Sequence, residues 1–285
     1  MEQYSVLMSV YQKDNPSYFH DAIQSMVQQT LRPDDFVIVC DGPLTEELDA
    51  VIESFLRKEP ELFQVIRQPK NMGLGPALNR GLQQCKHEFV ARMDADDIAL
   101  PDRVAHLMKG YQECPEASVV GGQIAEFAGT TDNIVSYRIV PRTQKEILER
   151  LPSRNPMNHV TVLLRRSHVM AAGSYEDAPG FEDYRLWIRM LSEGCQMYNV
   201  AELCCYVRVS DAMYRRRGGV DYLRGIWEME RLLLSRKMVS PLKFLVNVMI
   251  RFAAAVLVNN KIRKTVYKKL LRSDKEYTAE VWEQV

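Results

Sequence analysis

Through residue 121 the chain alternates two kinds of segment. Short β-rich runs, VLMSV (6–10), FVIVC (36–40), LFQVI (62–66), EFVARM (88–93) and SVVGG (118–122), are each separated by a stretch that reads as helix. No other feature limits the fold so strongly, because strands interleaved with helices build a parallel sheet with helices on its faces. Between the first two runs, Tyr18 to Gln29 places Phe19, Ala22, Ile23, Met26 and Val27 on one helical face, and Thr30-Leu31-Arg32-Pro33 breaks it. Pro76 and Pro101 stand where helices would begin. From Gly122 to about Arg208 the pattern is mixed, with short strands at VTVLLRR and CCYVRV around a helix from Asp183 to about Glu193 that Gly194 stops. The last seventy residues read as amphipathic helices. There Lys243, Asn247 and Arg251 recur every four residues in an otherwise apolar segment, and Lys261 to Arg272 sets Ile262, Val266 and Leu270 opposite a mostly basic face. The expected class is α/β, with a mainly parallel central sheet flanked by helices and C-terminal amphipathic helices added.

Charge divides the chain. Lys plus Arg and Asp plus Glu are equal at 37 each, so net charge argues for neither nucleic-acid binding nor disorder. Residues 213 to 272 nevertheless hold fifteen Lys/Arg against three Asp/Glu, a net of +12, which leaves −12 for the rest. A boundary near residue 215 therefore separates a main domain, 1–215, from a basic helical extension, 216–285. The six cysteines form no C-x-x-C pair and have no zinc-ligand spacing with the five histidines, so they read as buried thiols of a reducing compartment. The N-terminus is acidic at once and only briefly apolar, unlike a signal or transit peptide, and the longest apolar run, Phe252 to Val258, is far short of the ~20 residues that span a bilayer. A cytoplasmic location is the expectation.

Three stretches carry chemistry. In ARMDADDIALP (91–101) three carboxylates follow an apolar strand, although strands disfavour Asp and adjacent negative charges repel. In an extended segment Asp94 and Asp96 would point to the same side at the C-terminal end of a strand, where open α/β sheets bind ligands. Mg²⁺ or Mn²⁺ takes one or two carboxylates and completes its shell with water and substrate phosphates, so the triplet suits a metal–phosphate complex. An EF-hand loop starting at Asp94 fails, having Ala99 and Ala105 where Gly and Glu are required. A phosphatase nucleophile motif of the haloacid-dehalogenase type would carry Thr or Val where Ile98 stands, and an Asp-rich turn capping the helix near Pro101 is the structural alternative. In NMGLGPALNRG (71–81) a glycine-rich turn opens a helix; Leu78 occupies the place of the third glycine of a dinucleotide fingerprint, yet such a turn still offers N–H groups to an anion. In GFEDYRLWIRMLSEG (180–194), Leu186, Trp187, Met190 and Leu191 form a core face and leave Glu182 and Asp183 at the helix start, as caps or as a base.

In this order and spacing the motifs resemble glycosyltransferase family 2, the inverting enzymes of the GT-A fold, and in particular bacterial enzymes of capsule, O-antigen and exopolysaccharide assembly. The resemblance runs from SVLMSVYQKDNPSYFHDAIQSMVQQT through Asp41 in VIVCDGP, then Asn71, Gly73, Ala77, Asn79 and Gly81, to MDADD, and resumes in NPMNHVTVLLRRS and GFEDYRLWIRM. It implies a nucleotide-sugar half over 1–121 and an acceptor half over 122–215. It also implies residue roles: Asp41 at the nucleobase with Val10, Tyr11 and Asn71 in the same pocket, Asp94 at the ribose, Asp96 on the Mn²⁺ or Mg²⁺ of the donor diphosphate, and Asp183 or its neighbour Glu182 as general base. His159 is a candidate on the acceptor side, with a structural role as the alternative. Arg215, Arg216 and Arg217, in YRRRGG, are candidates to close over the diphosphate, with a solvated turn as theirs. The implied enzyme is a hexosyltransferase that moves one sugar from a nucleotide-sugar, UDP-linked by expectation, to a saccharide acceptor, lipid-linked by expectation. The chain lacks the Q-x-x-R-W and membrane bundle of processive synthases. Its basic C-terminus suits peripheral attachment to an anionic membrane, and packing on the domain or on a second subunit of an oligomer is the other reading. A metal-dependent phosphohydrolase and a non-catalytic membrane-associated scaffold subunit are the competing functions.

Overall fold

The computed structural model describes residues 2–209 and 220–256. Its elements follow the expected alternation: β1 (Tyr4–Val10), α1 (Pro16–Val27), β2 (Asp35–Cys40), α2 (Glu46–Lys58), β3 (Phe63–Arg67), α3 (Leu74–Leu82), β4 (Phe89–Met93), β5 (Ile98–Ala99), α4 (Arg103–Glu113) and β6 (Ala117–Phe127). The second half adds β7 (Ile134–Arg138), α5 (Gln144–Arg150), a 3₁₀ turn (His159–Thr161), β8 (Leu163–Arg165), α6 (Arg166–Ala171), α7 (Glu182–Ser192), β9 (Gln196–Arg208), α8 (Val220–Ser235) and α9 (Pro241–Val256). α1 starts where Asn15 accepts the N–H groups of Ser17 and Tyr18 and Pro16 occupies the first helical position. Its apolar face is buried at Phe19, Ala22, Ile23 and Met26. Pro76 lies inside the first turn of α3 and Pro101 two residues before α4.

The nine strands form one sheet in the order β3-β2-β1-β4-β8-β6-β9-β5, with β7 on β6. β3, β2, β1 and β4 are mutually parallel, whereas β8 runs antiparallel to both β4 and β6. Chain order reverses across β1 and β4, because β2 lies on one side of β1 and β4 on the other. Such a reversal opens a crevice at the C-terminal ends of the two strands. Val10 ends β1 and Asp94 follows β4, so sequence motifs far apart in the chain meet at that crevice.

VTVLLRR is only partly a strand: its first residues form the 3₁₀ turn, because the Thr161 hydroxyl is turned inward onto the Asn158 carbonyl and accepts the Gly122 N–H. α8 and α9 share the core with the first half of the chain; Ile226, Met229, Leu233, Val239 and Phe244 are buried in the cluster that includes Leu7, Trp187 and Met190. The basic segments Arg215 to Arg217 and Lys261 to Arg272 lie outside the described residues. Cys40, Cys85, Cys204 and Cys205 are buried free thiols, and burial pushes Cys40 up to about 11 and Cys85 to about 12, which makes them inert. Among the described residues no helix is long and apolar enough to cross a membrane.

Candidate active site

The glycine-rich stretch 71–81 builds one wall of the crevice, and each of its marked residues has a physical task. The Asp41 carboxylate, after β2, accepts the Met72 N–H at 2.7 Å and the Gly73 N–H at 3.0 Å, while the Asn71 amide donates to the Asp41 carbonyl at 3.2 Å. Gly73 has φ +92°, a left-handed conformation that lets the chain enter α3 immediately after this clasp. Ala77 is fully buried, and a Cβ on Gly81 would strike Leu7 and Val39, so α3 lies flush on the sheet. Asn79 exchanges two hydrogen bonds with the backbone of Tyr175, fastening α3 to the loop before α7. Val10 is buried beside this clasp and its carbonyl accepts the Asp41 N–H at 2.8 Å; the Tyr11 N–H is held by Asp14.

The acidic triplet departs from the extended geometry expected of it. β4 ends at Met93, and Asp94 to Asp97 form a turn before β5. Consequently Asp94 and Asp96 do not project as a strand pair. Both oxygens of Asp94 are gripped by the guanidinium of Arg92, itself 2% exposed. Asp97 is buried and accepts the Arg208 N–H at 2.8 Å, and burial, reinforced by Asp96 and Asp94, raises its carboxyl well above the usual range. Asp96 is exposed, and its carbonyl accepts from the Arg208 guanidinium at 3.1 Å. The turn thus fixes two carboxylates internally and presents the third outward. With both its oxygens in the Arg92 fork, Asp94 is a poor phosphatase nucleophile.

A divalent metal fits this turn only in one way. Among the described residues no group of three or more His, Cys, Asp or Glu could enclose an ion. An exposed Asp96 supplies a single hard oxygen ligand, which matches an ion that brings most of its shell from diphosphate and water and does not match a protein-enclosed site.

Across the crevice, α7 begins at Glu182. The Asp183 Oδ2 accepts the Asn155 amide at 2.6 Å and its Oδ1 accepts the Tyr184 N–H at 2.7 Å. Burial raises the Asp183 carboxyl, with the Asn155 hydrogen bond opposing it, and burial together with the charge of Asp183 raises Glu182 to about 7. Asn155 is itself seated by Arg138, whose guanidinium donates to its carbonyl at 2.9 Å. The Arg92 charge is felt by Asp94, Glu182 and Asp183 alike, so one buried cation links the turn to the α7 carboxylates.

His159 lies behind this link. Its Nε2 meets the Tyr175 hydroxyl at 3.0 Å and its ring packs edge-on to Trp187, and burial, then the Arg92 charge, holds its pKa well below the ordinary value. A neutral histidine so enclosed supports the wall of the site and is poorly placed to donate protons. Arg92, Asn155, Tyr175 and Arg208 are not among the residues to which the motifs assign a role. Only Arg92 carried a signal, a charge in the middle of an apolar strand two residues before Asp94. A separate cavity of about 780 Å³, lined by Gln123, Arg142, Glu146, Tyr198 and their neighbours, includes none of the carboxylates named above.

The chain is similar to known proteins along most of its length. The family model described as glycosyl transferase family 2 matches residues 5–172. The chain is 38% identical to an uncharacterized glycosyltransferase of Haemophilus influenzae over 95% of its own length and 99% of the relative's. It is 35% identical to the amylovoran biosynthesis glycosyltransferase AmsE of Erwinia amylovora, covering 93% and 98% of the two chains. With the UDP-Gal:alpha-D-GlcNAc-diphosphoundecaprenol beta-1,3-galactosyltransferase of Escherichia coli it shares 32% identity over 95% and 97%. Among solved structures, S. aureus TarS 1–349 in complex with UDP-GlcNAc superposes with a TM-score of 0.66 at 16% identity, over 94% of this chain and 76% of that one. The Pyrobaculum calidifontis mannosyltransferase PcManGT, solved with GDP-Man and Mn²⁺, gives 0.60 at 13% identity, over 99% and 78%. This chain is a glycosyltransferase of the GT-A fold and belongs to glycosyl transferase family 2.

Proposed function

We propose that the chain transfers a single sugar, with inversion, from a UDP-sugar to a lipid-linked saccharide acceptor during assembly of a bacterial surface polysaccharide. The observation that carries this reading is the pairing, across the buried Arg92, of a turn with one outward carboxylate and a helix start with two carboxylates of raised pKa. The donor and acceptor classes are supported by the printed activity of the Escherichia coli relative, and the pathway by the name of the Erwinia amylovora one.

In the proposed mechanism the clasp of Asp41 on residues 71–73, with Val10 and Tyr11 beside it, forms the nucleoside pocket, and Asp94, held rigid by Arg92, faces the ribose. Asp96 would hold Mg²⁺ or Mn²⁺, which supplies charge neutralisation for the departing diphosphate. Asp183 takes the proton of the attacking acceptor hydroxyl. Burial makes it a stronger base than an exposed aspartate, while Asn155 and the Tyr184 N–H fix the direction in which its free lone pairs point. Glu182 shares the pair's titration. Two adjacent carboxylates of raised pKa lose their protons in steps that belong to the pair, so near neutral pH one proton can remain on Glu182 while Asp183 is free to act.

Calorimetric binding of UDP to the wild type, with Mn²⁺ and again with chelator, is the direct test. Metal-dependent binding that Asp96→Asn weakens at least about tenfold is the expected result. Equal binding by the two proteins in chelator and in metal would remove Asp96 from the donor site. Asp183→Asn should retain UDP binding and lose roughly 10²–10⁴-fold in turnover, the usual worth of a general base; unchanged turnover would take the role of base away from Asp183.

A further inference from the structure

The last described helix, α9, is inside out relative to an ordinary surface helix. Two members of the α9 polar stripe face the protein: Asn247 donates to the Pro152 carbonyl at 2.8 Å and to Glu230 at 3.2 Å, and Arg251 pairs with Glu230 at 2.8 Å and reaches the Ser153 carbonyl at 2.9 Å. Glu230, on α8, is completely buried, so this network fixes the rotation of α9 about its axis. Phe244 completes the inward side against Trp227 at a ring distance of 5.5 Å. The outward side is aliphatic: Leu242, Leu245, Val246, Met249 and Ile250, at helical spacings of three and four, are between 39 and 73% exposed, with Lys243 among them and the half-exposed Trp227 at the rim.

We infer that this face of α9 is the surface by which the enzyme lies on an anionic lipid membrane. Two observations select lipid over a protein partner. From Arg231 to Ser273 the sequence holds eleven Lys/Arg and no Asp or Glu, a charge pattern complementary to an acidic leaflet. The combination of exposed aliphatic side chains, an edge tryptophan and flanking cations is that of a helix lying in the bilayer interface. The placement also has a consequence for catalysis. α9 grips the turn at Pro152 and Ser153, and two residues later Asn155 holds Asp183, so the docked face adjoins the chain segment that positions the base. The assignment rests on the acceptor being lipid-linked, since only then does the membrane deliver substrate to that side.

Flotation with vesicles of phosphatidylethanolamine and phosphatidylglycerol, against phosphatidylcholine vesicles, tests it on the full chain without any substrate. The wild type should float with the anionic vesicles and lose binding as salt is raised, and the combined substitutions Leu245→Gln, Met249→Gln and Ile250→Gln should cut the bound fraction at least about tenfold. An unchanged melting midpoint and unchanged transfer to a water-soluble acceptor would show that the triple variant is folded. Equal flotation of variant and wild type, or no flotation of either, overturns the inference. So does light scattering that shows a wild-type dimer and a monomeric variant, because the face would then be covered by a second copy. Failure of the wild type to float alongside its intact transfer to a soluble acceptor refutes the docking and leaves the glycosyl-transfer reading standing, whereas flotation of the wild type without transfer supports the docking and counts against that reading.

Discussion

Replacing Asn155 with Ala removes one hydrogen bond from the carboxylate assigned as base and leaves its backbone partner in place. The lost bond is short, 2.6 Å from the amide nitrogen to the Asp183 Oδ2, and it favours the ionised form. Hydrogen bonds to charged groups contribute about 1.5–3 kcal/mol, so losing this one removes a large part of what favours the ionised form and raises the Asp183 carboxyl further. A base with a higher pKa stays protonated to higher pH. The ascending limb of kcat/KM against pH must therefore move to higher pH, with activity recovering on its alkaline side. Measured with UDP-sugar and a soluble acceptor, the profile separates this from a loss of structure, which would depress the whole curve. A limb that stays in place while the plateau falls would refute the assignment of Asp183 as the titrating base. The partner substitution Glu182→Gln should leave the limb close to its place, because the neutral amide stands in for the protonated Glu182 beside which Asp183 acts.

Arg92→Met strands the Asp94 carboxylate beside a buried cavity and should cost about 2–4 kcal/mol by urea unfolding, below the full penalty of a buried broken pair because Asp94 is one-third exposed. Arg92→Lys keeps the charge but not the fork, and should weaken UDP binding in calorimetry more than it lowers stability. Gly42→Ala places a Cβ 2.7 Å from the Asn71 nitrogen at a φ of +91°, so loss of about 1–3 kcal/mol and displacement of the 71–73 clasp, read as weaker UDP binding, should appear together. Gly75→Ala should reach a similar loss by another route, since its Cβ would lie 2.2 Å from the Glu176 carbonyl and push α3 off the loop that holds Tyr175; a change under about 0.5 kcal/mol would show that this loop yields freely.

What could be read from the sequence, and what could not, divides by whether the deciding partner is local. The parallel strands and the buried face of α1 follow from periodicity within a few residues, and the structure repeats them. The acidic turn does not: whether Asp94 and Asp96 project together depends on Arg208, more than a hundred residues downstream, whose N–H claims Asp97 and bends the chain out of the extended form. The α9 stripe makes the same point more sharply. Periodicity alone marks Lys243, Asn247 and Arg251 as one face and the aliphatic residues as the other, and the ordinary expectation turns the aliphatic face inward. One residue on another helix reverses it. Glu230 is buried on α8, and turning Arg251 and Asn247 away would leave its carboxylate buried and unpaired, while Phe244, Val248 and Phe252 pack inward on the same side. The helix therefore turns Arg251 and Asn247 toward that charge and leaves Lys243 outward with Leu242, Leu245, Val246, Met249 and Ile250. A change of Glu230 to Leu would remove the reason for the rotation.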